Sequence, residues 1–314
     1  MKHGSDGMPT ARVTVFGGCN LRGPIGRAVW PTHRDPESNW DEVPAGLSLS
    51  GVPFLTFTLG EMLQTIQCYL GHRRIPSDFY PLFNIRPHLA PTPTNNPLER
   101  TDVVLVEPNT SSEIEFDGYC LNRAAIFRIL NPIQKTNRAA WKLCKRWYNK
   151  GIVAMDAEAR REVAEQLVPL LPPDAPDREL SASILRNANG RKCNVREALG
   201  NLVDAVDLPV GVVLYVWAYM PDGRSVSWPA ELTREVIGAA ADLNLPVFDP
   251  RPLVERAGAA VALKPNLRQY ADNFMSVVAK PLVEFALSTA DAGRPCAAGA
   301  ATGSFNGAAS SVAA

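Results

Sequence analysis

Histidine is scarce in this chain: four stand in 314 residues, at positions 3, 33, 72 and 88. That side chain does most acid–base work near neutral pH, so the sequence has few places to put such chemistry. An excess of either charge is lacking too. Lys plus Arg and Asp plus Glu each count 32, which leaves no overall field to draw the chain to nucleic acid or a membrane surface. No apolar run approaches the roughly 20 residues of a membrane span, and the polar opening MKHGSDGMPT has no apolar core of an export signal. The six cysteines (19, 68, 120, 144, 193 and 296) form neither a CxxC pair nor a dense framework. Reduced thiols in a cytoplasmic protein are the expectation, with no metal site. No internal repeat is visible.

What is present is an ordinary soluble composition, 46% hydrophobic and 20% charged, in a chain long enough to bury a large core. Five short apolar runs read as strands: Val13–Phe16, Val52–Thr58, Asp102–Glu107, Val210–Trp217 and Pro246–Phe248. They are near-continuously apolar, as strands covered on both faces are. Helix-like segments separate them at 60–71, 121–149, 156–170, 194–206, 230–243 and 274–287. The alternation predicts a three-layer α/β domain over 11–287, with a parallel sheet of about five strands. The first, third and fourth strands should lie centrally, and a helical insertion should occupy 119–207, before the fourth. The Pro-rich segment 84–98 is expected to be a loop. Residues 1–10 and the Ala/Gly/Ser-rich tail 288–314 are expected to be disordered.

The most informative stretch is ARVTVFGGCNLRGPIGRA, residues 11–28. An apolar strand ends in Gly17-Gly18-Cys19-Asn20, and a helix should follow. Ligands of open α/β sheets bind at the carboxyl ends of the strands, and Cys19 should sit there. A helix N-terminus and Arg22, three residues on, should both lower the thiol's pKa. The glycines at 17, 18, 23 and 26 do not fit the G-x-G-x-x-G dinucleotide fingerprint, and no Gly-Lys-Ser/Thr follows to make a phosphate loop. A cysteine packed inertly under the turn is the competing reading.

A second feature is a charge run. From Gly118 to Met155 there is no acidic residue, yet eight side chains are basic, among them Lys142, Lys145 and Arg146, interleaved with Trp141, Trp147 and Tyr148. Two readings are open: a solvated helix face, or a site for phosphates or an acidic glycan with rings for stacking. Nucleic acid is the weaker partner, because the rest of the chain cancels the charge.

The order of strand, Gly-Gly-Cys and helix resembles the first block of the SGNH (GDSL-type) hydrolases. It is closer still to variants reading Gly-Ser-Cys or Gly-Asn-Cys, including acyltransferase-like proteins of polysaccharide biosynthesis. VVLVEPNTSSEI (103–114) falls where that family's third block follows the central strand, and LPVFDPRPLVERAG (245–258) with 263–287 resembles its ending. The resemblance implies Cys19 as nucleophile, with the N–H groups of Cys19 and Gly60 and the Asn109 amide stabilising the oxyanion. The family's Asp-x-x-His is replaced by Asn266-Leu267-Arg268-Gln269. Neither amide accepts a proton at neutral pH, so the base and its orienting carboxylate are both absent. Cysteine depends on a base less than serine does.

His88, in the Pro-rich loop, is the best histidine to supply a proton. Glu107 is either a base or, more in keeping with its place at a strand end, a cap on a neighbouring helix or the partner of an arginine. Asp249 should fix the turn before Pro250. The expected activity is an SGNH-like esterase or acyltransferase acting on a sugar or glycan-linked acyl group. Arg22, Asn20, His88, Lys142, Lys145 and Arg146 would bind substrate, and coenzyme A would be a fitting acyl donor if the basic run holds its phosphates. The alternatives are an inactive SGNH-like protein that binds a carbohydrate or acyl ligand, and a biosynthetic partner that docks through its basic helices.

Overall fold

The computed structural model describes residues 11–36, 38–52, 54–148, 150–173, 177–215, 229–265 and 269–293. Strand β1 (Ala11–Phe16) leads through Gly17 and Gly18 into helix α1 (Cys19–Val29). Then come β2 (Leu47–Gly51), α2 (Leu59–Tyr69), β3 (Val103–Val106), β4 (Ser112–Phe116) and β5 (Tyr119–Cys120). Helices α3 (Arg123–Gln134), α4 (Arg138–Tyr148), α5 (Lys150–Ala154), α6 (Ala157–Leu167) and α7 (Arg178–Asn187) follow. The chain continues with β6 (Asn189–Lys192), α8 (Val195–Val206), β7 (Val210–Val213), α9 (Pro229–Asp242) and β8 (Val247–Phe248). It closes with α10 (Arg251–Ala257), α11 (Ala259–Ala262) and α12 (Met275–Ala292).

Five parallel strands form the main sheet in the order β2-β1-β3-β7-β8, so the first, third and fourth runs of the sequence are central, as their patterning predicts. Alternate residues of each central strand feed two cores. Val13, Val15, Val103 and Leu105 meet Leu21 and Ile25 of α1 and Leu282, Val283 and Ala286 of α12 on one face. Phe16, Val104, Val106, Val210 and Val212 meet Met62 and Ile66 of α2, Leu199 and Leu202 of α8 and Ala240 of α9 on the other. The result is a three-layer α/β arrangement. Gly211 is where α12 comes closest: a Cβ there would lie 2.8 Å from both Leu105 and Phe285.

The structure corrects the second strand. Pairing with β1 uses Leu47–Gly51, not Val52–Thr58. Pro53 has no N–H to give to a ladder, and the run instead carries Thr58, whose hydroxyl caps α2 by accepting from the Glu61 N–H. The fourth run pairs only over Val210–Val213, and Trp217 lies outside the described residues. The expected helical insertion at 119–207 is not wholly helical: β5 and β6 lie in it and sandwich β4 in an antiparallel sheet of order β5-β4-β6. β6 reads Asn-Gly-Arg-Lys with no apolar residue, and Gly190 is there because a Cβ would fall 2.2 Å from the Ile152 carbonyl of α5. The 121–149 segment divides into α3 and α4, just beyond Pro132. Helix α12 runs on to Ala292, past the expected boundary at 287, because Thr289 and Ala290 still pack inward. Residues 1–10 and 294–314 lie outside the described residues. Among the described residues no helix is long and apolar enough to cross a membrane.

Candidate functional site

Two side chains, Glu107 and Asn109, explain the double glycine. Glu107, at the end of β3, is buried with 1% of its surface exposed. A Cβ on Gly17 would lie 2.8 Å from the Glu107 Cβ, and one on Gly18 would lie 3.2 Å from its Oε2. With both absent, Oε2 accepts the Gly18 N–H at 2.9 Å, and the Leu21 N–H also donates to the carboxylate. Two of the orphan donors at the start of α1 are thereby satisfied, in the field that best tolerates an anion. Glu107 is thus the cap of a neighbouring helix that its strand-end position suggests. Burial nevertheless pushes its pKa up to about 8, against the pull of those two N–H groups.

Cys19 is the first residue of α1 and is exposed, whereas Cys68, Cys120, Cys144 and Cys193 are buried. Its thiol does not have the lowered pKa expected at a helix N-terminus. Protein packed around the sulfur raises it first, and the nearby Glu107 charge raises it further. Arg22 and a hydrogen bond from the Gln269 side chain pull the other way and do not prevail. The physical reason is first the burial of the sulfur and then Glu107, whose carboxylate occupies the helix end that would favour a thiolate. Arg22 is half-buried, donates to the Val52 carbonyl and has its own pKa lowered, chiefly by burial. Asn20 is buried, 4% exposed.

Asn109 belongs to the same cluster. Its N–H donates to the Phe57 carbonyl at 2.8 Å, and its amide presses on Gly18, where a Cβ would lie 2.6 Å from Nδ2. Asn109 Oδ1 is buried without a hydrogen-bond partner, and so is the Thr56 hydroxyl, whose backbone N–H is held by the Gly17 carbonyl. Two unpaired polar atoms therefore flank the Gly17–Gly18 turn. Such atoms cost free energy unless something else satisfies them.

Gly60 differs from expectation. It lies in the first turn of α2, but its N–H donates to Glu113 Oε1 at 2.8 Å and is not free to stabilise an oxyanion. Glu113 is wholly buried and ion-paired to Arg191 of β6 at 2.8 Å, and Arg191 also reaches Glu115 at 3.0 Å. Beside them Glu61 is buried, with its pKa pushed up to about 8 by desolvation. Phe57 N–H and the Asn122 amide donate to Glu61 Oε2, and Oε1 has no partner.

The remaining sequence-derived positions scatter. His88 is exposed on a 3-10 turn, Pro87–Leu89, and is not among the groups that bear on the Cys19 thiol. Lys142, Lys145 and Arg146 are exposed on α4, whose buried face is Ala140, Cys144 and Trp147. That helix packs mainly on α3, α5 and α6, so its charges lie on a different surface from Cys19. Lys145 sits 4.9 Å from the centre of the exposed Trp141 ring. Asn266 lies outside the described residues. Asp249 binds the Arg251 N–H at 3.0 Å and fixes the turn around Pro250.

Sequence reasoning missed Thr56, Glu61, Glu113 and Arg191. The Thr58-x-x-Glu61 spacing is a capping-box signal that marks the α2 N-terminus, but nothing in the sequence shows Glu113 facing Gly60. Comparison with curated proteins and with solved structures gives no match. A family model, the TviD N-terminal domain, does match, and it spans residues 11–285; the chain belongs to the TviD N-terminal domain family.

Proposed function

We propose that this chain transfers an acyl group in polysaccharide biosynthesis, with Cys19 as its carrier. Membership of the TviD N-terminal domain family is what links the chain to polysaccharide biosynthesis. The observation that carries the reading is an exposed thiol at a strand-to-helix junction, beside two buried polar atoms that lack partners. In this reading the Cys19 thiol attacks an activated acyl donor, such as a coenzyme A thioester. The S-acyl bond forms, the donor's C–S bond breaks, and the thiol proton leaves with the departing thiol. A sugar hydroxyl then attacks the Cys19 thioester and its proton returns to the sulfur, which regenerates the enzyme. Asn109 Oδ1, an acceptor without a donor, suits that hydroxyl. Gln269 holds the sulfur where a histidine would otherwise act. Lys142, Lys145 and Arg146, on their separate surface, would hold an anionic stretch of a long acceptor.

A second reading is a pocket that binds a carbohydrate or acyl ligand without turnover, and the amide at position 269 favours it. Mass spectrometry after exposure to acetyl-coenzyme A separates the two. The transfer reading expects a single acetyl adduct on Cys19, absent in Cys19→Ala and discharged by a sugar acceptor. A Cys19 that stays unmodified while iodoacetamide still labels it overturns transfer and leaves the binding pocket.

A further inference from the structure

Among the described residues, the charged and hydrogen-bonding groups that act on the Cys19 thiol come from three elements. Arg22 comes from α1 itself, Gln269 from the segment before α12, and Glu107 from the end of β3. Arg22 in turn faces Tyr69 on α2. Among the described residues Glu107 is the only acid that acts on the sulfur, and no cation pairs with it. Its partners are the backbone donors Gly18 N–H and Leu21 N–H, which bracket Cys19 in sequence. Gly17 leaves the space for it, since a Cβ there would lie 2.8 Å from the Glu107 Cβ; a Cβ on Gly18 would lie 3.2 Å from Glu107 and 2.6 Å from the Asn109 amide. A helix N-terminus alone asks for a cap that Ser, Thr, Asp or Asn at position 18 would supply. This chain instead has glycine at both positions and brings in a carboxylate from another strand.

We propose that Glu107 is the positioning residue of the Cys19 site: it fixes the first turn of α1 beneath the thiol, and its charge restrains the thiolate. The proposal deepens the acyl-transfer reading by assigning the part that the absent Asp-x-x-His pair would have played. Burial and, above about pH 8, the Glu107 charge keep the thiol protonated between substrates. It then has a proton to give the leaving group when a donor arrives, with no histidine to deliver it.

The test reads Cys19 alone and does not depend on turnover. In the full chain, Cys19 alkylation by iodoacetamide is followed by peptide mass spectrometry from pH 6.5 to 9.5, in wild type and in Glu107→Gln. Gln keeps an oxygen to accept one N–H and removes the charge. Glu107 titrates at about 8, so its charge is present only on the alkaline side. The two proteins should alkylate at matching rates at the acid end. Above pH 8 the variant should be faster, by roughly three- to tenfold for the loss of a nearby like charge. A ratio that is the same at every pH overturns the proposal, because a purely structural cap would act at every pH. If Glu107→Gln does not fold, the wild-type curve decides. A rise that flattens above pH 8 supports the coupling, and a single simple titration refutes it. Pairing this curve with the acetyl-coenzyme A experiment keeps the readings apart, since Glu107 can restrain a thiol that never becomes acylated.

Discussion

Helices α1 and α2 both begin near the carboxyl edge of the parallel sheet, and both begin against a buried glutamate. At α1 the acid is Glu107 on the Gly18 and Leu21 N–H groups; at α2 it is Glu113 on the Gly60 N–H. The difference is the counter-charge. Glu113 is paired to Arg191, which also binds Glu115 and so ties α2 to the small antiparallel sheet. Glu107 has backbone dipoles only, and burial lifts its pKa to about 8. A carboxylate with a cation is a fixture, whereas one without a cation changes charge near physiological pH. The exposed thiol stands at the second kind of helix end. The Glu113 contact at α2 is thus locked and the Glu107 contact at α1 adjustable, although α2 also carries Glu61 in its first turn, a second buried acid with its pKa pushed up to about 8.

The comparison breaks first under added bulk. A Cβ on Gly60 would fall 2.4 Å from Glu113 Oε1 and 2.9 Å from its Cδ, against a carboxylate held by Arg191. On Gly18 the closest atom is the tip of the Asn109 amide at 2.6 Å, whose Oδ1 makes no hydrogen bond that motion would break. Gly60→Ala should therefore destabilise by about 2–4 kcal/mol and Gly18→Ala by about 1–2 kcal/mol, as overpacking against rigid and movable neighbours does. Urea denaturation of both variants checks this, and equal losses would mean that Glu113 is no more firmly held than Asn109.

A smaller effect follows from proton linkage. Glu107 and Glu61 each have a folded pKa of about 8, against 4.5 for an ordinary Glu. An acid that binds its proton more tightly when folded stabilises the fold fully below the lower value. That contribution falls as the pH rises from about 4.5 to about 8, and no more is lost above it. The thermal midpoint should drop steadily over that window. Glu107→Gln should flatten part of the slope and Glu61→Gln another part. A midpoint that climbs from pH 5 to pH 8 would contradict the environments of both acids.

Much of this was legible in the residues. Uninterrupted runs such as VVLV at 103–106 gave the doubly covered strands, and their alternation with helices gave the central order. The cap role of Glu107 could be read from its place at a strand end. The second strand was misread because Val52 and Phe54 are buried as any strand residue would be, yet reach the core from a loop. The antiparallel sheet left little trace: Asn-Gly-Arg-Lys is chosen for an ion pair and a close backbone approach, not for β propensity. The thiol's pKa was misjudged because a helix dipole can be inferred from sequence, while the packing that buries the sulfur, and the acid brought to the helix end from a strand some ninety residues away, cannot.

The smallest expected effect tests the two arginines against each other. Arg22 donates to the Val52 carbonyl and bears on Cys19, whereas Arg191 bears on Glu113 and Glu115. Arg22→Gln removes the one charge that, among the described residues, favours the thiolate. Cys19 alkylation at pH 8 should slow by roughly two- to threefold, a modest change because the guanidinium is partly open to screening solvent. Arg191→Gln should lower stability, since it leaves Glu113 buried without its cation, yet leave the Cys19 rate in the folded protein untouched. If Arg191→Gln slowed alkylation as much as Arg22→Gln, the two helix ends would share one electrostatic network. The contrast between a locked end and an adjustable one would then fail, because Glu113 would act on the sulfur through the sheet edge that separates them.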